Sequence, residues 1–174
     1  MEVLNLNDLC LDCRKLWHAW APAHLNLHLD LSPDTALVWG DAFRLRQVLM
    51  NFLVNATETV AAAGVHGQGR NTIEVITQPL VLDQDQLPLF AGHDHLPTGQ
   101  YACLAVRDRG PGMDGETLAH LFEPTLDPRI PPHKCGLSLC LQIIREHRGG
   151  LQVQSRPRQG STFKFCLPAH PLSK

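Results

Sequence analysis

Asn51 and Asn55 stand four residues apart in a stretch with helical periodicity. On an α-helix that spacing puts both side chains on one face, close enough to act on one ligand. Amide oxygens are neutral, hard ligands suited to a magnesium ion that phosphates also hold. The pair equally fits two satisfied core polar groups. Downstream, Asp108 precedes Gly110-Pro111-Gly112. Its carboxylate can accept an amino N–H such as that of adenine, and the glycines permit close approach of a flat ligand. An ordinary tight turn has the same composition. A third piece, Lys134-Cys135-Gly136-Leu137-Ser138-Leu139, leads into a helix behind Arg129 and His133. A helix start offers free N–H groups and a positive dipole end, a ready phosphate site. With a single glycine there, a solvated basic loop is the alternative.

The elements that must position these groups follow from periodicity. Leu4-Asn5-Leu6 alternates like a short edge strand, and Asn7 or Asp8 caps a helix to Trp20 with Leu9, Leu16 and Trp20 near one face. Leu25, Leu27, Leu29 and Leu31 alternate strictly with polar residues, the mark of a half-buried strand. The strongest helix opens at Asp41 and runs to about Ala63, where Gly64 stops it. Its apolar positions are Leu45, Val48, Leu49, Phe52, Ala56 and Val60. Strands are expected over 72–77 and 101–106, separated by a loop insertion at 79–99 with a strand extension at its start. A short helix over 115–122, a proline-rich irregular segment, a helix over 137–147 and two strands, 151–155 and 162–167, complete the chain. Strands and helices alternate in blocks, which favours a mixed sheet with helices on one face.

Composition narrows the class. The chain has 174 residues, with 15 Lys+Arg against 17 Asp+Glu for a formal charge of −2. That leaves no electrostatic footprint for nucleic acid, and no basic tract for a membrane surface. No apolar run approaches a bilayer span, and the start lacks the basic and apolar regions of a secretory signal. A soluble, cytosolic, single domain is expected. Cys10 and Cys13 form a C-x-x-C without the second pair a zinc site needs, so all six cysteines are read as reduced and structural. The ten histidines are dispersed and read as surface or interface residues.

Taken in order, the pieces resemble the four boxes of sensor histidine kinases. Arg44 to Ala56 (RLRQVLMNFLVNA) is similar to the N box, and Val106 to Met113 (VRDRGPGM) to the G1 box. Leu121-Phe122-Glu123-Pro124 resembles the F box and Gly136-Leu137-Ser138-Leu139 the G2 box. The tail from His147-Arg148-Gly149-Gly150 to Gly160-Ser161-Thr162-Phe163 is similar to the family's last hairpin. The likeness covers about residues 35–168, with the long loop before G1 typical of nitrogen-regulator-type and PAS-linked hybrid kinases.

The resemblance implies an α/β (α+β) two-layer sandwich, a mixed sheet with about three helices on one face: the Bergerat-type ATP-binding fold. Residues 1–34 would be a strand-helix-strand part of the same domain, 35–170 the catalytic core with a lid at 124–135, and 171–174 a tail. It implies ATP and Mg2+ as ligands. Asn55 would hold the magnesium, supported by Asn51, and Asp108 the adenine amino group. Gly110 and Gly112 would shape the pocket, Met113 would pack on the base, and Thr162 would help at the Asp108 end. Arg129 and Lys134 would contribute lid charge, and Gly136 and Leu137 backbone contacts to phosphate. Gyrase, MutL-type and heat-shock-chaperone relatives carry a Glu where this chain has Asn51. An amide cannot act as a general base near neutral pH, so the γ-phosphoryl would be kept for a better nucleophile. Glu58, two turns on, is the nearest other carboxylate and is not expected to substitute.

Two departures bear on function. Lys134 and Ser138 replace glycines of the G2 box, Thr125 replaces the aromatic after the F box, and Pro124, Pro128, Pro131 and Pro132 stiffen the lid. No H-E-x-x-x-P phosphoacceptor sequence occurs; His18-Ala19-Trp20-Ala21-Pro22 lacks its acidic neighbour and spacing. The reading is the catalytic domain of a protein-histidine kinase, phosphorylating a histidine on a separate dimerisation and phosphoacceptor domain, with a response regulator receiver domain downstream. Alternatives are a non-catalytic docking or phosphotransfer scaffold with weak nucleotide binding, or a related ATPase or serine kinase.

Overall fold

The computed structural model describes residues 1–35, 37–64, 71–123 and 136–170. Their elements, in chain order, are β1 (Glu2–Leu4), α1 (Leu6–Trp20), β2 (Asn26–Leu31), β3 (Val38–Gly40), α2 (Ala42–Ala62), β4 (Thr72–Leu82), β5 (Gly99–Asp108), α3 (Gly115–Ala119), α4 (Gly136–Glu146), β6 (Gly150–Ser155) and β7 (Ser161–Pro168). Five strands form one sheet in the order β2-β4-β5-β7-β6, and β1 pairs with β3 in a separate ribbon. Only the β2–β4 pair of the larger sheet is parallel. This is the expected mixed sheet.

Three amphipathic helices, α1, α2 and α4, bury their apolar faces against one side of that sheet. On α2 the buried set includes Leu45, Val48, Leu49, Phe52, Ala56 and Val60, the whole face that periodicity assigns. Phe52 meets Phe163 and Phe165 of β7 with ring centroids 5.4 and 6.3 Å apart. Full burial of such a ring contributes about 1.5–3 kcal/mol. Trp17 carries its one polar atom into the core and satisfies it there, Nε1 donating to Thr57 Oγ1 at 2.8 Å. At the far ends of α2 and α4, His147 Nε2 accepts from Asp41 N at 3.0 Å while Nδ1 bonds Ile143 O at 2.7 Å. Arg44 and Glu146 form an ion pair beside it.

Several local expectations need correction. Asn5, not Asn7 or Asp8, caps α1: its side chain accepts from Asn7 N at 2.9 Å, because Leu6 is buried as the first helical residue. The buried face of α1 is Leu6, Leu9, Cys10, Cys13 and Trp17, whereas Leu16 and Trp20 are 47% and 44% exposed. Small thiols, not large aliphatics, complete the i, i+3, i+4 series there. The strand extension expected at the start of the insertion is there, β4 continuing to Leu82, but the rest is more ordered than a loop. Two single-turn 3-10 helices follow at Leu87–Leu89 and His93–His95, and Ala91 bridges Leu151 of β6. Leu82, Phe90, Leu96 and Tyr101 build a second small core on the sheet face away from the helices.

Beneath that core, Cys103 and Cys166 form a disulfide, correcting the expectation that every cysteine is reduced. The two lie directly opposite on β5 and β7, with Cα atoms 4.1 Å apart. Register alone reveals such a partnership, since the pair is separated by 63 positions in sequence. Cys10, Cys13 and Cys140 are free and buried, and burial pushes their thiols up to about 12, 11 and 12. They are inert packing groups.

Candidate nucleotide site

The site grows from the N-terminus of α2 toward the end of β5. Asp41 caps α2 by accepting from Phe43 N and Arg44 N at 3.0 and 3.1 Å, and those N–H groups hold its carboxyl below the usual range. Asn51 and Asn55 follow about three and four turns on, and Asn55 Nδ2 donates to Asn51 Oδ1 at 3.2 Å. The remaining acceptor, Asn55 Oδ1, is buried and has no hydrogen-bond partner among the described residues. A buried carbonyl oxygen without a donor is unfavourable unless something else meets its lone pairs.

Asp108 closes β5 at 3% exposure. Burial raises its carboxyl above the ordinary range, and N–H groups of Gly110 and Ser161 partly oppose that shift. Gly110 N donates to Oδ1 at 2.8 Å. A β-carbon on Gly110 would come within 2.8 Å of Thr59 Cγ2 and 2.9 Å of Asp108 Oδ1, so only glycine lets the turn lie against α2. Gly112 adopts φ +69° and packs on the Arg156 carbonyl. The β6–β7 hairpin thus clamps the turn from behind, and Ser155 Oγ accepts from Met113 N at 2.8 Å.

Between these walls lies a cleft of about 470 Å³, the size of a small-molecule pocket. Asn55, Asp108, Gly112, Met113 and Leu137 line it together. Gly110 stands behind Asp108. Asn51 and Gly136 stand at the cleft's edge in contact with each other, so that a β-carbon on Gly136 would overlap Asn51 Nδ2. Arg129, Lys134 and the rest of the expected lid, 124–135, lie outside the described residues.

Thr162 is not in the cleft. It pairs with Arg107, points to the opposite face of the sheet, and its neighbour Ser161 lines the cleft beside Asp108. The alternation of β7 carries the reason. Phe163 and Phe165 face the helices, so Ser161 shares their face and Thr162 shares that of Lys164. That signal was present in the sequence. Glu58 and Thr59 also line the cleft; their place at i+3 and i+4 from Asn55 is the signal for them.

The chain matches the family of histidine kinase-, DNA gyrase B- and HSP90-like ATPases over residues 40–171, and it belongs to that family. An ATPase-type domain of this family implies nucleotide binding, and the cleft is the candidate place for it. The chain's likeness to particular proteins points the same way. The chain is 30% identical over 172 residues to the adaptive-response sensory kinase SasA of Synechocystis sp., covering 96% of this chain and 39% of that protein. It is also 30% identical over 171 residues to the sensory histidine kinase/phosphatase NtrB of Rhodobacter capsulatus, covering 98% of this chain and 44% of that protein. The chain therefore spans less than half the length of these relatives. Among solved structures, a catalytic domain of the histidine kinase ThkA superposes with a TM-score of 0.70 at 22% identity, covering 97% of both chains. Full-length ShkA in complex with AMPPNP gives 0.72 at 18% identity, over 99% of this chain and 32% of that one. These likenesses show the fold. Among the described residues, no helix is long and apolar enough to cross a membrane.

Proposed function

We propose that this chain is the catalytic domain of a sensor histidine kinase, binding ATP with magnesium and passing the γ-phosphoryl group to a histidine on a separate dimerisation and phosphoacceptor domain. The observation that carries the proposal is the cleft in which a buried carboxylate, Asp108, and an unpartnered amide oxygen, Asn55 Oδ1, face the same space. Asp108 accepts a hydrogen bond from the adenine amino group, and Met113 supplies an apolar surface for the base. Gly110 and Gly112 keep the backbone low enough for a flat ring. Leu137 and Gly136 bring the start of α4, the positive end of its dipole, to the phosphate end.

The donor set fits a magnesium ion. Asn55 Oδ1 is a hard, neutral oxygen with no donor on it among the described residues, and Asn51 fixes its orientation from the preceding turn. When bound, the metal neutralises phosphate charge and orients the transferring group. Asn51 brings no general base to that point, which favours transfer to a positioned acceptor over hydrolysis. Residues 1–34 act as part of the same domain, Arg129 and Lys134 contribute charge from the 124–135 segment, and a response regulator receiver domain takes the phosphoryl group onward in the cytoplasm.

Calorimetry with ATP, with and without Mg2+, tests the reading. Binding that tightens when magnesium is added supports it, and phosphorylation of an added phosphoacceptor domain completes it. Absence of any binding at about millimolar nucleotide sinks it. Magnesium-dependent binding without transfer to any supplied acceptor would favour the scaffold alternative, which the Lys134 and Ser138 replacements in the G2 box motivate.

A further inference from the structure

On the sheet face turned away from the nucleotide cleft, Ile76, Ala105, Lys164 and Gln152 form one row across four strands, each directly opposite the next. Ala105 is the short member of the row, and its methyl group leaves a hollow of about 100 Å³ among larger neighbours. Along β5 the hollow is bounded by Cys103, fixed by its disulfide to Cys166, and by Arg107. Alternation sends the intervening Leu104 and Val106 into the helical core, so this space and the nucleotide cleft lie on opposite sides of the sheet.

The chemistry of the lining is one-sided. It contains Lys164 and Arg107 and no carboxylate. Lys164 lies over the Phe90 ring, 5.4 Å from its centroid, and makes no ion pair among the described residues. Burial lowers its ammonium pKa, the response of a cation that has lost water without gaining a counter-charge. Arg107 faces Glu74 at 3.4 Å, but the same carboxylate faces Arg109 at 3.4 Å, leaving one excess positive charge at the rim. Gln152 is only 7% exposed as a residue, and its side-chain amide, which has no hydrogen-bond partner among the described residues, is the part that stays open to the hollow and solvent. An amide that opens onto the hollow with no protein partner is available to a further polar group, since it carries two N–H donors.

We propose that this hollow is a second ligand site, taking a small oxyanion of acetate or phosphate size between the Lys164 ammonium and the Gln152 amide, with Arg107 at its rim. An anion here supplies a counter-charge to Lys164 and an acceptor to the Gln152 NH2 group. The size of the hollow excludes a nucleotide and admits a carboxylate or a phosphate group.

The test is NMR titration of the isotope-labelled 174-residue chain with sodium acetate and, separately, sodium phosphate at fixed ionic strength. The titrations are run with the nucleotide cleft filled with ADP and repeated without it. The Gln152 side-chain amide should shift with saturation, and the anion that saturates at the lower concentration identifies the oxyanion class. Lys164→Met should weaken binding by at least about tenfold, with Lys164→Arg retaining most of it, because the interaction is charge-assisted. Gln152→Leu should weaken it several-fold while leaving ADP affinity unchanged. Shifts that stay linear with both anions overturn the proposal, as does saturation that survives Lys164→Met. Saturation found only when ADP is omitted also overturns it, since the anion would then occupy the nucleotide's own phosphate position.

Discussion

Gly136, the first residue of α4, lies so close to Asn51 of α2 that no side chain fits between them. The colliding atom would be Nδ2 of Asn51, the end of a side chain that can rotate. Gly136→Ala should therefore leave the fold standing, with a melting temperature near that of the parent. The Asn51 amide would turn away from its 3.2 Å bond with Asn55. Nucleotide affinity in magnesium should fall by about tenfold, the value of one displaced charge-assisted contact. Calorimetry and thermal melting read both quantities on the same sample.

Asn55→Ala should separate metal from base. Its Oδ1 is the unpartnered acceptor in the cleft, so truncation removes the magnesium-dependent increment in ATP affinity. Metal-free binding of ADP should change by less than about twofold, since Asp108 and Met113 remain. Equal losses with and without magnesium would place the metal elsewhere.

Asp108 links pH to binding. Its folded-state carboxyl titrates above the ordinary range because it is buried. Above that raised value the folded chain bears the cost of an ionised buried carboxylate, and acidification relieves it, so this group's contribution to stability improves as pH falls. Adenine needs the ionised form as an acceptor, so nucleotide affinity should weaken over the same interval. A series of titrations from neutral pH down through the carboxylate range should show that loss, and Asp108→Ala should abolish both the pH dependence and the preference for adenine over guanine. The substitution should cost about 1.5–3 kcal/mol of binding.

Ser161→Ala and Thr162→Ala make a paired control. Ser161 shares the cleft with Asp108, whereas Thr162 faces the back of the sheet. Only the first should change nucleotide affinity. A reversed result would mean the register Asp108↔Ser161 is wrong by one residue.

Reduction of the Cys103–Cys166 disulfide, or Cys103→Ser, should lower unfolding stability by about 2–4 kcal/mol, because the bond closes a long loop in the unfolded chain. Denaturant unfolding with and without a thiol reductant measures this. Nucleotide affinity should be unaffected, as the bond joins strands on the face away from the cleft.

The Asn51–Asn55 spacing, the Asp108 turn and the glycine opening α4 were legible in sequence because each depends on local geometry. Four residues make one helical turn, a glycine between a carboxylate and a helix makes a close approach, and both survive without knowledge of partners. The apolar face of α2 was legible for the same reason. Where large and small residues competed for one face, as on α1, size misled. Leu16 and Trp20 face outward, while Cys10 and Cys13 fill the core. Ser161 could have been found from the alternation with Phe163 and Phe165.

What only the tertiary structure decided is what depends on which strand lies beside which. Periodicity says that β5 and β7 are strands; register alone sets Cys103 against Cys166 and Asp108 against Ser161. The 79–99 segment reads as loop from its prolines, yet Phe90 and Leu96 find an apolar partner once Tyr101 and Leu82 present one behind the sheet. Local pattern determined the elements and most of the groups that line the candidate cleft. Long-range pairing, which has no period in the sequence, determined which of those groups meet and what occupies the sheet's other face.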